Sequence, residues 1–304
     1  MATSSWIQEL REQQLSLEEQ VPLREYTSFR IGGNAECMAF PASAEELASL
    51  LRFTAERELA CLLLGAGSNV LAPDEGLPGL VIQTRTRMQD LRQLPDGTIE
   101  AQSGVPLARL ANFAAQKGLT GLEFAQGIPG TVGGGVIMNA GAYGGELKDA
   151  AVETFALTRD GEECRFTGEQ QGFRYRGSAI QDAGAAVSAV RFRLREGDPA
   201  EIYETMRDLA ARRREKQPLE LPSAGSTFKR PEGGYAAALI DQAGLKGTRV
   251  GGAAVSEKHA GFVVNLGGAT AEDVKRLIAL IQERVYRSSG ILLEPEIRIL
   301  GGAL

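Results

Sequence analysis

Two glycine-rich stretches and a few isolated polar side chains are the parts of this sequence equipped for chemistry. Residues 127–146, GIPGTVGGGVIMNAGAYGGE, hold eight glycines in twenty positions, interleaved with Ile128, Val132, Val136, Ile137 and Met138. A flexible linker would be polar throughout. These apolar residues need burial, so the glycines sit in packed backbone, where glycine reaches positive φ and leaves no Cβ between main chain and ligand. Such a loop can aim several N–H groups at one anion, or it can be a run of tight turns and bulges. A second stretch, CLLLGAGSNVL at 61–71, reads as a buried strand entering a turn, a common seat for phosphate. Gly65-x-Gly67 lacks the third glycine of the dinucleotide fingerprint, and Pro73 stands where a phosphate-binding helix would run, so a Rossmann site fails its context test. Two separated nests suit a ligand with a long diphosphate spine lying between two lobes, which is the shape of FAD. The candidate contacts are Gly65, Ala66, Gly67, Ser68 and Asn69 in one nest, with Gly127, Ile128, Gly130, Thr131, Gly134, Asn139 and Gly141 in the other.

The polar side chains offer charge and protons. Arg176, after Tyr175, has a planar guanidinium that matches a carboxylate, though an arginine in a loop is commonly just exposed. Ser226 lies in PSAGSTFK at 222–229, where small residues let backbone approach closely; the plain alternative is a polar turn. Glu294 and Glu296 are two apart and so share one face of a strand. A Ser-His-Asp hydrolase is a poor fit, because His259 is the only histidine and no GxSxG surrounds Ser226. His259 is read as structural. Cys37, Cys61 and Cys164 are far apart, in no metal or redox spacing, and read as small buried hydrophobes in a reducing compartment.

Taken in order, LLLGAGSNVL, the 127–146 loop, YRGS at 175–178, PSAGSTFK and LEPEIR at 293–298 make the chain resemble the UDP-N-acetylenolpyruvoylglucosamine reductase family from about Tyr26 to its C-terminus. The resemblance implies an α+β fold: a two-lobed FAD-binding domain of the PCMH/vanillyl-alcohol-oxidase type, followed by a C-terminal α+β substrate-binding domain. It implies noncovalent FAD, reduced by NADPH, which leaves before UDP-N-acetylglucosamine enolpyruvate enters the same cleft to become UDP-N-acetylmuramate for peptidoglycan. Hydride would add to the terminal methylene carbon, leaving negative charge on the neighbouring carbon and its carboxylate. Arg176 would then stabilise that charge, Ser226 would supply the proton, and Glu296, second in its motif, would assist. Tyr175, Arg213, Lys216 and Lys229 are implied substrate contacts. Arg230 stands where some members carry asparagine, which leaves it outside that set. Fifty residues separate Arg176 from Ser226, the spacing of the shorter class without a tyrosine-lid insertion. Rival readings are an alcohol or sugar oxidase of the same architecture and a nucleotide-binding protein that has lost the chemistry.

The elements that must position these residues belong to an ordinary globular chain of 304 residues, long enough for two or three packed units. A net charge of −6 argues against a nucleic-acid surface. No apolar run approaches the ~20 residues that span a bilayer, and a cytoplasmic monomer is expected. Residues 1–25 read as an N-terminal helical segment around Trp6, Ile7, Leu10, Leu15 and Leu17, 26–197 as the FAD-binding domain with lobes at about 26–88 and 89–197, and 198–304 as the substrate-binding domain. Ser43-Ala44-Glu45-Glu46 is a capping box that opens a helix. Pro106 opens another, which Gly118 stops. Val187 to Leu194 alternates as a strand with Arg191 on a solvated face. Asp198 and Pro199 start a helix that ends in the basic run Arg212–Lys216, where cations favour the helix dipole. Thr270-Ala271-Glu272-Asp273 caps a later helix, and Leu292 to Leu300 closes the fold as a strand.

Overall fold

The computed structural model describes residues 5–301. Its contacts gather them into two units, each discontinuous in sequence. The first takes the chain up to Gln20, Glu36–Ala66 and Pro78–Arg212; the second takes Val21–Ala35, Gly67–Leu77 and the chain from Arg213 onward. Segments 21–35 and 67–77 thus pack with the C-terminal part rather than with their sequence neighbours.

The first unit opens with a four-stranded sheet in the order Leu17–Pro22, Asn34–Ala39, Leu77–Gln83, Cys61–Leu64. The helix Ala44–Glu56 buries Leu47, Leu50, Leu51 and Phe53 against Cys37, Ala39, Leu80 and Ile82 of that sheet. Ser43 Oγ caps it by accepting the Glu46 N–H at 3.2 Å, while the Glu46 carboxylate reaches back to the Ala42 N–H at 2.8 Å. Such a cap stabilises by about 1 kcal/mol. Three sequence readings need correction here. The N-terminal helix covers only Ser5–Glu12: Gln14 adopts φ +58°, and Leu17–Pro22 is the outer strand, so Leu15 and Leu17 belong to a strand period. Cys61–Leu64 is not a buried strand but the other edge of the sheet, with Cys61 and Leu63 exposed. Of the cysteines, Cys37 alone is fully buried, its thiol pushed up to about 12 chiefly by desolvation.

Five antiparallel strands form the second sheet, in the order Glu163–Thr167, Ala151–Leu157, Ala186–Phe192, Ile99–Gln102, Leu91–Gln93. On the solvated face Arg191 is not free: from the central strand it pairs with Glu100 and Glu153 on its two neighbours, each at 2.9 Å. The helices Leu107–Gln116 and Val132–Ile137 contribute Leu107, Leu110, Val132 and Val136 to a core shared with Val190 and Phe192. Pro106 is the N-cap of the first of these, one residue earlier than read, and Gly118 ends it at φ +67°. The helix Pro199–Lys216 starts where Asp198 Oδ1 accepts the Ala200 N–H at 2.8 Å, and it buries Ile202 and Met206 in the same core.

The second unit is built on an antiparallel sheet, Ser223–Ser226, Phe262–Asn265, Ala253–Val255, Arg249–Val250, covered by the helices Ala236–Gln242 and Ala271–Ser289. Thr270 and Asp273 cap the long helix reciprocally, and Gly290 ends it in the left-handed region. Phe29, Ile31 and Leu71 from the two upstream segments share a core with Val274, Leu277, Ile278 and Ile281. The closing stretch is less regular than read: Arg298–Ile299 forms a short strand paired in parallel with Val70–Leu71, and Pro295 makes an isolated antiparallel bridge with Phe228. No helix among the described residues is long and apolar enough to cross a membrane.

Candidate functional site

In the first unit, the two glycine stretches meet around one hydroxyl. Thr131 Oγ1 is buried and has no hydrogen-bond partner among the described residues. A Cβ on Gly65 would lie 2.5 Å from it, and a Cβ on Gly134 would lie 3.7 Å from it with nothing else near. Burying a hydroxyl without a partner is costly, so an unsatisfied one beside two glycines marks a place shaped for a ligand oxygen. Gly134 is exposed although its neighbours Gly133 and Gly135 are buried. The adjoining Gly65 carbonyl is held by Gln83 Nε2 at 3.3 Å. This corner fits a phosphate of FAD.

Other predicted cradle residues have work inside the protein. Gly67 stands at φ +60° in the second unit, where a Cβ would meet the Tyr26 carbonyl oxygen at 2.1 Å, and its own carbonyl accepts the Ser28 N–H at 3.0 Å. Its glycine is therefore required by packing. Asn69 donates its amide to the Glu296 carbonyl at 3.3 Å and accepts the Arg298 N–H on its backbone at 2.9 Å. Asn139, in the first unit, is buried at φ +42° with its amide fully engaged: Nδ2 donates to Glu146 Oε2 at 2.9 Å and to the Arg174 carbonyl at 3.3 Å, and Oδ1 accepts the Lys148 N–H at 3.0 Å. Gly141 pairs with Glu146, and a Cβ there would meet Glu146 Cγ at 2.7 Å. These four positions therefore each have a structural role inside the protein. Gly127, Ile128, Gly130, Ala66 and Ser68 are half-buried beside these turns.

Arg176 tops a two-residue hairpin. The Arg174 N–H donates to the Gly177 carbonyl at 3.0 Å and the Gly177 N–H returns to the Arg174 carbonyl at 3.3 Å. Arg176 takes φ +53°, a conformation that costs a non-glycine residue about 1–3 kcal/mol and collects at functional sites. It is half-buried, with its guanidinium 5.4 Å from the ring centre of the exposed Tyr175. Behind the hairpin, Ser178 donates to the Ile137 carbonyl at 3.0 Å. The Glu146 carboxyl is held below its ordinary 4.5, first by the Lys148 ammonium, then by Asn139 and by the charge of Arg176.

Ser226 and Glu296 lie on neighbouring backbone segments of the second unit. One residue more lies between Ser223 and Ser226 than between their partners Val264 and Phe262, so the strand carries a bulge, with Gly225 at φ +78°. A bulge re-aims the side chain that follows it. The chain then runs antiparallel to 294–296: Lys229 N–H donates to the Glu294 carbonyl and Glu296 N–H to the Thr227 carbonyl, both at 2.8 Å. Phe228 and Pro295 face each other between those bonds, at a position that needs no N–H, so the proline costs the pairing nothing. Glu294 is exposed and ion-paired with Lys229, whereas Glu296 is half-buried. His259 has a structural job: its Nδ1 accepts the Gly261 N–H at 3.1 Å, and burial lowers its pKa.

Arg213 and Lys216 lie in the last turn of their helix. Its Arg214 carbonyl accepts from Lys258 Nζ at 2.7 Å, the interaction expected where cations cap a helix end. Sequence reasoning missed Ser28, whose Oγ donates to the Ser223 carbonyl at 2.6 Å and ties the start of the Ser226 strand to segment 21–35. It also gave Glu146 no role. Ser28 has no local signal, since its partner is 195 residues away, whereas Glu146 bonds to residues within seven positions of it. Among the described residues no group of His, Cys, Asp or Glu could hold a metal.

Comparison with known proteins agrees with this layout. Residues 35–167 match an FAD binding domain, and residues 217–300 match the C-terminal domain of UDP-N-acetylenolpyruvoylglucosamine reductase. A reductase of that name from Syntrophomonas wolfei is 45% identical over 280 residues, covering 92% of this chain and 93% of its own. Another, from Lactobacillus delbrueckii subsp. bulgaricus, is 46% identical over 293 residues, covering 96% and 98%. The crystal structure of the Thermus caldophilus reductase superposes with a TM-score of 0.80 at 36% identity, covering 94% of this chain and 98% of that one. An alkyldihydroxyacetonephosphate synthase, at TM-score 0.50 and 15% identity over 64% of this chain and 41% of its own, shares the fold alone. The expected α+β architecture of an FAD-binding domain and a C-terminal domain holds, and the chain belongs to the UDP-N-acetylenolpyruvoylglucosamine reductase family.

Proposed function

We propose that this protein reduces UDP-N-acetylglucosamine enolpyruvate to UDP-N-acetylmuramate, a peptidoglycan precursor, using NADPH and noncovalently bound FAD, as a cytoplasmic monomer. Family membership supports the reaction class. The observation that supports the assignment of residues is the backbone pairing of 227–229 with 294–296, which joins the segment that follows Ser226 to the one that carries the half-buried Glu296.

Bound FAD supplies hydride transfer between the nicotinamide and the enolpyruvyl carbon. The chain's own residues bind, orient and manage charge. Thr131 Oγ1, with the open backbone at Gly65 and Gly134, holds a phosphate of the cofactor. Arg176 receives the substrate carboxylate and stabilises the negative charge that spreads into it as the methylene carbon gains hydride. Ser226 Oγ gives its proton to the adjacent carbon, with Glu296 assisting. Tyr175, Arg213, Lys216 and Lys229 are assigned to the sugar nucleotide, whose diphosphate calls for cations. The C-terminal residues from 198 onward form the substrate-binding part.

Stopped-flow absorbance tests this reading. NADPH should bleach the flavin of the purified protein, and the enolpyruvyl sugar nucleotide should restore its colour without oxygen. Reduced flavin that ignores this substrate would refute the assignment. Yellow colour retained in the pellet after acid precipitation would refute noncovalent FAD.

A further inference from the structure

In the second half of the glycine stretch the buried Asn139 makes three hydrogen bonds, one of them to the hairpin that carries Arg176. We propose that Asn139 is a positioning residue for Arg176, and that residues 137–146 serve as the seat of the arginine's hairpin. The inference rests on the assignment of Arg176 to the substrate carboxylate given above. Asn139 is 2% exposed. One Nδ2 proton goes to the Arg174 carbonyl, the same oxygen that accepts the Gly177 N–H and closes the hairpin. The other goes to Glu146 Oε2, and Oδ1 takes the Lys148 N–H, so the amide clamps the hairpin to the Gly141–Glu146 turn. Glu146 also binds Lys148 Nζ at 2.6 Å, and its carboxylate caps the short turn at Leu147–Asp149. Ser178 Oγ, donating to the Ile137 carbonyl, fixes the chain on the far side of Arg176, where Ser178 caps the short helix Ala179–Asp182. The hairpin is thus held on both sides by 137–146, and Arg176 keeps its left-handed backbone only while that seat exists. Asparagine suits the position because it tolerates φ +42° and carries both donor and acceptor.

The test uses the FAD-loaded enzyme and Asn139→Gly, which keeps the left-handed backbone free of strain and removes only the amide. Flavin content and flavin reduction by NADPH should stay at the parent level. Reoxidation by the enolpyruvyl substrate should fall about 10²-fold, the scale of a misplaced catalytic group. A double-mutant cycle separates positioning from general destabilisation: in an Arg176→Ala background, Asn139→Gly should slow reoxidation no further. Multiplicative losses, or parallel loss of FAD and of flavin reduction, would overturn the proposal while leaving the reductase reading intact. If Asn139→Gly does not fold, Glu146→Gln serves the same cycle, with a smaller slowing that also vanishes in the Arg176→Ala background; a slowing that persists there overturns it. A parent enzyme inert to the substrate, or an Arg176→Ala enzyme of undiminished rate, would instead bring down the underlying reading and this proposal with it.

Discussion

The two groups of candidate catalytic residues are held by different kinds of bond. Glu296 and Ser226 stand on main chain: the 227–296 and 229–294 backbone hydrogen bonds, the bulge at Gly225 and the parallel pairing of Arg298–Ile299 with Val70–Leu71 fix them whatever their side chains are. Arg176 stands on side chains, because the amide of Asn139 and the hydroxyl of Ser178 tie its hairpin to residues 137–146. A backbone ladder survives side-chain replacement, so variants in the second unit report chemistry. A side-chain clamp does not, so variants in the first unit report geometry as well.

Several substitutions would break or sharpen that contrast. Ser226→Ala should be the most severe, slowing flavin reoxidation by the substrate ~10²–10⁴-fold with an unchanged melting temperature; a clear fall in Tm would mean the hydroxyl is structural. Arg176→Lys keeps the charge but loses the planar fork, and a loss of about 10²–10³-fold in kcat is expected, as for removal of one oxyanion donor. Parental kcat in that variant would make Arg176 a surface residue. Glu296→Gln should slow single-turnover reoxidation far more than Glu294→Gln, because the Glu294 carboxylate is exposed and engaged with Lys229. The reverse order would reassign the acid. At the cradle, Gly134→Ala should weaken FAD retention at constant apoprotein stability, since its methyl meets only Thr131 Oγ1 at 3.7 Å. Gly67→Ala should cost stability first, its Cβ facing the Tyr26 oxygen at 2.1 Å. Equal FAD affinity in Gly134→Ala and parent would remove the phosphate from that corner. The smallest effect belongs to Glu146. Its folded pKa lies below 4.5, so its contribution is complete above that pH and is lost as pH falls through the folded value. Protection against hydrogen exchange at 174–178, taken relative to the free peptide at the same pH, should therefore fall as pH drops below 4.5, and that fall should be absent in Glu146→Gln.

Local signals in the sequence carried much of the fold. Ser43, Asp198 with Pro199, and Thr270 with Asp273 each start the helix their types announce, because a cap is a bond between residues two or three apart. What depends on distant partners was not legible. Leu17–Pro22 continues an apolar pattern begun by a helix, and only pairing with Asn34–Ala39 makes it a strand. Cys61–Leu64 is apolar enough for a core but has a neighbour on one side only. The glycines illustrate the same limit: Gly65, Gly67, Gly134 and Gly141 look alike in sequence, yet Gly65 and Gly134 both face Thr131 Oγ1, Gly67 faces the Tyr26 carbonyl and Gly141 faces Glu146. The bond from Asn139 to the Arg174 carbonyl spans 35 residues, so its structural role could not be read from its neighbours.

On the proposed function, Arg176 and Ser226, though anchored so differently, both act on the substrate and not on the flavin. The most direct measurement is rapid-mixing absorbance of the two half-reactions in Arg176→Lys and Ser226→Ala, monitored at the flavin band. Both variants should be reduced by NADPH at the parental rate and reoxidised slowly by the enolpyruvyl sugar nucleotide. Equal slowing of reduction and reoxidation in both would place these residues around the flavin and contradict the claim.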